Sequence, residues 1–112
     1  LEPLFRGQYP DDLIRHFGRR GIRAPVQPGD MAIIARPIDW LGVNTYSRLI
    51  NAADPRDLLS GARQLPSPGP STAMGWEIYP DCIVEALRMA KGYTDLPLYI
   101  TENGAAFDDV LS

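Results

Sequence analysis

"LYITENGAAF", residues 98–107, runs from a stretch that a sheet interior accepts into an ionisable group and then into a turn. Leu98, Tyr99, Ile100 and Thr101 have the aromatic and β-branched bias of a strand, and Asn103-Gly104 is a dipeptide that reverses the chain. Glu102 therefore stands where a hydrophobic strand surfaces. A rigid strand that aims a carboxylate at a substrate would use that arrangement. A strand that merely ends in a solvated acid has the same sequence, and such acids are common.

The residues upstream supply a context. "YPDCIVEALRMAKGY", residues 79–93, reads as a helix: Pro80 opens it, Ile83, Val84, Leu87 and Ala90 share one side, Arg88 and Lys91 lie near its end, and Gly92 stops it. "LPLYIT", residues 96–101, is then a strand. An earlier strand is expected in "DWLGVNTYS", residues 39–47, with Gly42 inside it. Between them, residues 51–75 form a long irregular stretch that includes "LPSPGPS", and loops of that length are usually functional or disordered. Two helices precede the first strand. One starts at "YPDDLIRHFGRR", with Pro10 at its opening, Asp11 and Asp12 at the positive end of the dipole, and Leu13, Ile14 and Phe17 on one face. The other lies in "PGDMAIIAR", capped by Asp30 and stopped by Pro37.

A strand–helix–strand unit asks for parallel strands and a right-handed crossover. Two parallel strands cannot close a barrel or cover both faces of a sheet. The lack of an initiator Met, and an end at "DDVLS" directly after the glutamate motif, point the same way. The 112 residues are expected to be a piece of something longer.

Composition narrows the chemistry. Eleven basic residues against fourteen acidic ones give a net charge of −3, with no basic stripe for phosphates, so nucleic acid is not an expected partner. Cys82 and His16 are each the single residue of their type, which argues against a disulfide and against a cysteine or histidine metal site. No apolar run approaches the ~20 residues of a membrane span, and Glu2 and Arg6 interrupt any signal-like stretch. No cofactor is implied. The cytoplasm is the default location.

If the strands are parallel, Asn44 and Tyr46 emerge at the same edge as Glu102, the edge on which α/β enzymes place their active sites. A phenol beside a carboxylate can donate a hydrogen bond to it, hold its orientation and favour its ionised form as a nucleophile.

Four segments in order carry a resemblance to a known family. "LYITENGAAF" resembles the nucleophile segment of family one glycoside hydrolases, the β-glucosidase family, with its hydrophobic strand and T-E-N-G. "DWLGVNTYSR" is similar to that family's sixth-strand segment, "MGWEIYPDCI" to its M-G-W-E-x-Y-P segment, and "LEPLFRGQYPDDL" to its x-P-L-x-x-G-x-Y-P stretch. The resemblance implies an α/β fold, a partial (β/α)₈ TIM barrel in which residues 1–112 form part of the C-terminal half, with the sixth and seventh strands and their connecting helices.

It also implies roles. Glu102 falls on the catalytic nucleophile, which forms a covalent glycosyl-enzyme in a retaining hydrolysis of β-D-glucosides or oligosaccharides. Tyr46 falls on the catalytic-site tyrosine that hydrogen-bonds the nucleophile, Asn44 on an asparagine near the sugar, and Trp76 on an aromatic wall of the leaving-group side.

Each residue also has a plainer reading. Tyr46 and Trp76 could be packing, and Asn44 could satisfy a buried backbone group. Trp40 is expected in the core. Glu77, Asp81 and Glu85 are expected at a helix start and on a solvated face, His16 on a helix surface, and Cys82 half-buried.

Two departures from the family matter. Thr45 stands where an aromatic is usual. More seriously, retaining hydrolysis needs a second carboxyl roughly 5–5.5 Å from the nucleophile, and the N-E-P segment that carries it is missing. The chain by itself is therefore expected to be inactive, and the remainder of the barrel, in the same or a complementary chain, is an implied partner. The alternative is a truncated or split relative that binds carbohydrate or serves a structural role without catalysis. An unrelated small α/β domain is the third reading.

Overall fold

The computed structural model describes residues 1–110. Eight elements follow in the order α1 (Glu2–Arg6), α2 (Asp11–Gly18), α3 (Asp30–Ile34), β1 (Leu41–Asn44), β2 (Asn51–Ala53), β3 (Ala62–Gln64), α4 (Cys82–Lys91) and β4 (Leu98–Glu102). β1 and β4 pair in parallel, with Leu41 opposite Leu98, Gly42 opposite Tyr99 and Val43 opposite Ile100. The expected strand–helix–strand unit is therefore present, and α4 lies within its crossover.

The pairing is not regular to its end. Asn44 is opposite Glu102, so one residue of β4, Thr101, is inserted into the register. Such an insertion re-aims the side chains that follow it. Thr101 uses its position to donate from Oγ1 to Asn44 Oδ1 at 2.6 Å. Gly42 makes room for it: a Cβ at Gly42 would lie 3.0 Å from both Thr101 Oγ1 and Cγ2.

The long stretch after β1 is more ordered than its composition implies. β2 and β3 form an antiparallel hairpin with Asn51 opposite Gln64 and Ala53 opposite Ala62. Asp54 and Asp57 hold the connection: Asp54 takes a fork from Arg56 at 3.0 and 2.9 Å, and Asp57 accepts from Ser60 Oγ at 2.6 Å. Only three residues pair on each side, too short for a period-2 pattern to be seen in sequence.

The helices start and stop close to expectation. α2 begins one residue after Pro10, and Gly92 ends α4. Asp30 is the first residue of α3 rather than its cap, and its Oδ2 instead accepts from the Gln27 amide at 2.7 Å. α1 was not expected from sequence; its Pro near the start, left-handed Gly7 at its end and Glu2–Arg6 pair at 3.0 Å are helix signals spread over a single short helix.

Burial is sparse. Among the described residues only Cys82, Ala90 and Glu77 are buried, while Tyr99, Ile100, Leu49 and Met89 are exposed apolar surface. The radius of gyration is 17.8 Å, against about 13 Å for a compact domain of this length. Among the described residues, the two-stranded β1–β4 sheet has no further strand on either edge. Trp40, expected in the core, is 52% exposed and packs edge-on against Tyr99 at 5.5 Å. The expected core position is not observed: among the described residues nothing covers its exposed face.

Candidate active site

The parallel register brings the ends of β1 and β4 together, and the backbone ties them there. The Thr45 amide donates to the Glu102 carbonyl at 3.0 Å, and Asn103 Nδ2 donates to the Thr45 carbonyl at 2.7 Å. Asn103, read from sequence only as a turn former, is thus a clamp across the strand ends. Its amide has this partner because Thr45 continues past the last ladder pair.

Two residues beyond β1, Tyr46 donates its hydroxyl to Glu102 Oε2 at 2.5 Å. The bond raises the phenol's pKa above its ordinary 10.0, because losing the proton would place two negative oxygens in contact. Glu102 itself is exposed. The carboxylate is held at one oxygen and reachable from solvent at the strand tip.

Tyr46 leans on Trp76, ring centroids 5.6 Å apart at 61°. These two, with Asn44, Arg48, Gln64 and Glu77, help to line a concave site of about 500 Å³. Glu102 is not in its lining and joins it through the Tyr46 hydroxyl. The structure thus brings together all four residues singled out from sequence: Glu102 and Tyr46 in direct contact, Trp76 against Tyr46, and Asn44 bonded to the residue before Glu102.

Glu77 departs from expectation. It is neither at a helix start nor solvated: α4 begins at Cys82, and Glu77 is 7% exposed. Its two carboxylate oxygens accept from Arg48 Nε at 2.8 Å and Nη2 at 3.0 Å. That fork holds its carboxyl below the ordinary 4.5, since the neighbouring guanidinium favours the charged form. Arg48 in turn lies over the Tyr79 ring at 3.7 Å, and Ser47 Oγ donates to the Glu77 carbonyl at 2.8 Å. A buried acid looks like a solvated one in sequence until its partner 29 residues away is known. Asp81 and Glu85 are exposed as expected. Cys82 is fully rather than half buried, at 6% exposure, and His16 bonds from its ring to the Leu59 carbonyl at 3.2 Å.

The end of the β1–β4 pair thus presents an exposed carboxylate, a phenol bonded to one of its oxygens and an indole beside that phenol. The sequence matches glycosyl hydrolase family 1 over residues 1–112, and the chain belongs to that family. It is 44% identical over 116 residues to the 1,4-beta-D-glucan glucohydrolase of Thermotoga neapolitana, covering 100% of this chain and 26% of that protein. The beta-glucosidase from Exiguobacterium marinum superposes with a TM-score of 0.87 at 41% identity, over 100% of this chain and 26% of that one. The virulence factor SghA from Agrobacterium tumefaciens, in complex with its substrate analog salicin, superposes at 0.82 and 30% identity, over 99% of this chain and 25% of that one. The chain therefore spans about a quarter of the length of the relatives it matches. Those structures are TIM barrels, so the described residues have the fold of part of such a barrel. The relatives from Thermotoga neapolitana and Exiguobacterium marinum are named as a glucohydrolase and a beta-glucosidase.

Proposed function

We propose that residues 1–112 are part of the C-terminal half of a single (β/α)₈ barrel, with β1 and β4 as its sixth and seventh strands. The barrel is read as a retaining β-glycosidase acting on β-D-glucosides or β-linked oligosaccharides. The observation that carries this reading is the 2.5 Å bond from the Tyr46 hydroxyl to Glu102 Oε2 at the carboxyl ends of two parallel strands. Barrel enzymes build their sites at that end.

In this mechanism Glu102 Oε1, the oxygen Tyr46 leaves free, attacks the anomeric carbon. A C–O bond to the carboxylate forms as the bond to the leaving oxygen breaks, and a proton from an acid passes to that oxygen. Water then cleaves the glycosyl ester, with net retention. Tyr46 keeps Oε2 occupied, so the reacting oxygen is not free to rotate away. Asn44, locked to Thr101, faces the sugar side, and the Trp76 indole offers an apolar wall for the leaving group.

The acid is not supplied by this segment. Glu77 is the carboxyl residue that lines the concave site, and Arg48 holds it ionised, the opposite of what a proton donor at neutral pH needs. Residues 1–112 alone are therefore inactive in this reading. The rest of the barrel supplies the second carboxyl, the missing strand neighbours and the glycone contacts. A cytoplasmic location goes with this reading, and no helix among the described residues is long and apolar enough to cross a membrane.

The test is hydrolysis of an aryl β-D-glucoside by the complete barrel that contains residues 1–112. Activity in the wild type, absent in the isolated segment and abolished by Glu102→Gln without loss of fold, is the expected result. Full activity in Glu102→Gln would overturn the reading.

A further inference from the structure

We propose that the Arg48–Glu77 ion pair is a positioning device for the Tyr46 phenol, so that the aim of Glu102 depends on two charges set beside Tyr46 and Trp76 along the chain. The sheet does not hold Tyr46. Beyond Asn44 the ladder ends, and the last backbone tie to β4 is the Thr45 amide on the Glu102 carbonyl. Residues 46–48 run on without regular structure.

Contacts to residues 76–79 take over that task. Ser47 Oγ reaches the Glu77 carbonyl at 2.8 Å, the Arg48 fork closes on Glu77 at 2.8 and 3.0 Å, and the guanidinium lies over Tyr79 at 3.7 Å. The Tyr46 and Trp76 rings meet at 5.6 Å on the same two segments. A two-pronged bond fixes orientation as well as distance, which a single-point cation does not do. Glu77 is 7% exposed, so water does not readily replace Arg48 as its partner. Loosening the pair frees the segment that carries the phenol, while Tyr46, Trp76 and Glu102 all remain present.

The kinetic arm of the test rests on the reading of Glu102 as nucleophile; the spectroscopic arm does not. In the complete barrel, Glu77→Gln is expected to lower kcat about 10-fold with KM changed less than about twofold, and to cost less than about twofold once Tyr46→Phe is already in place. In parallel, 3-fluorotyrosine is placed at position 46 and its ionisation followed by fluorine NMR. Glu77→Gln is expected to move that ionisation down towards the free phenol, because the bond to Glu102 weakens.

An unchanged ionisation overturns the proposal whatever the kinetics. So does an equal kcat loss with and without the Tyr46 hydroxyl. A shifted ionisation in a barrel without glucosidase activity supports the positioning role and instead overturns the nucleophile reading. If Glu77→Gln does not fold, Arg48→Lys serves: it keeps the charge but not the fork, and is expected to shift the ionisation in the same direction by less. An unshifted ionisation in Arg48→Lys then counts against the proposal.

Discussion

Tyr46 and Glu102 are 56 residues apart in sequence and meet in a 2.5 Å hydrogen bond. Neither could find the other without the parallel register of β1 and β4 and the inserted Thr101 at its end. The bond serves both partners differently. It holds the carboxylate at one oxygen and keeps the phenol protonated above its usual range.

Removing the phenol oxygen should therefore affect turnover before binding. Tyr46→Phe is expected to lower kcat of the complete barrel about 10- to 100-fold, the worth of one hydrogen bond to a charged group, with little change in KM. Steady-state kinetics on an aryl β-D-glucoside check this. A kcat at the wild-type level would remove Tyr46 from the mechanism.

Acid should act through Glu77. Its folded pKa is depressed, so the stability it contributes is present above its ordinary 4.5 and is lost as pH falls through the folded value. Unfolding followed from neutral to acid pH should show stability falling below about pH 4.5, and Glu77→Gln should make that fall shallower. An identical acid limb in the two proteins would contradict the pairing. The Tyr46 phenol has the reverse sign. Its contribution is complete below 10.0 and is lost as pH rises through its raised value.

Gly42 should tolerate no side chain. A Cβ there meets Thr101 at 3.0 Å and the Trp40 ring at 3.2 Å, so Gly42→Ala is expected to destabilise by about 1–3 kcal/mol, as overpacking does. Denaturant unfolding measures it. An unchanged midpoint would mean that Thr101 moves away freely, and that its bond to Asn44 does not hold the strand end.

The segment alone should not remain a monomer. Tyr99, Ile100, Trp40 and Leu49 are exposed, and among the described residues no strand pairs with either outer edge of the β1–β4 sheet. Residues 1–112 in isolation are expected to aggregate, or to become soluble only with the complementary part of the barrel. Sedimentation distinguishes these outcomes from a stable, monodisperse monomer, which would contradict the expectation.

Local signals carried what was local. Pro10, Gly92 and the acid-first, base-last arrangement of α2 and α4 marked the helices, and the hydrophobic run before Glu102 marked β4. The ordered motifs around Asn44, Tyr46, Trp76 and Glu102 marked the candidate site. What was not legible depended on partners distant in sequence. Glu77 reads as a solvated acid until Arg48 is opposite it, and Asn103 reads as a turn residue until the Thr45 carbonyl is in reach. The hairpin of β2 and β3 has three residues a side and is held by Asp54, Asp57 and Ser60 rather than by an alternating pattern. Trp40 shows the opposite failure. Its apolar character predicted a core, and the layer that would cover it is not formed by these residues.

The most direct test is chemical trapping. The complete barrel is treated with a 2-deoxy-2-fluoro β-glucoside bearing a good leaving group, digested, and the labelled peptide sequenced by mass spectrometry. A covalent fluoroglucosyl group on Glu102 is the predicted result. A label on any other carboxylate, with Glu102 unmodified, would contradict it.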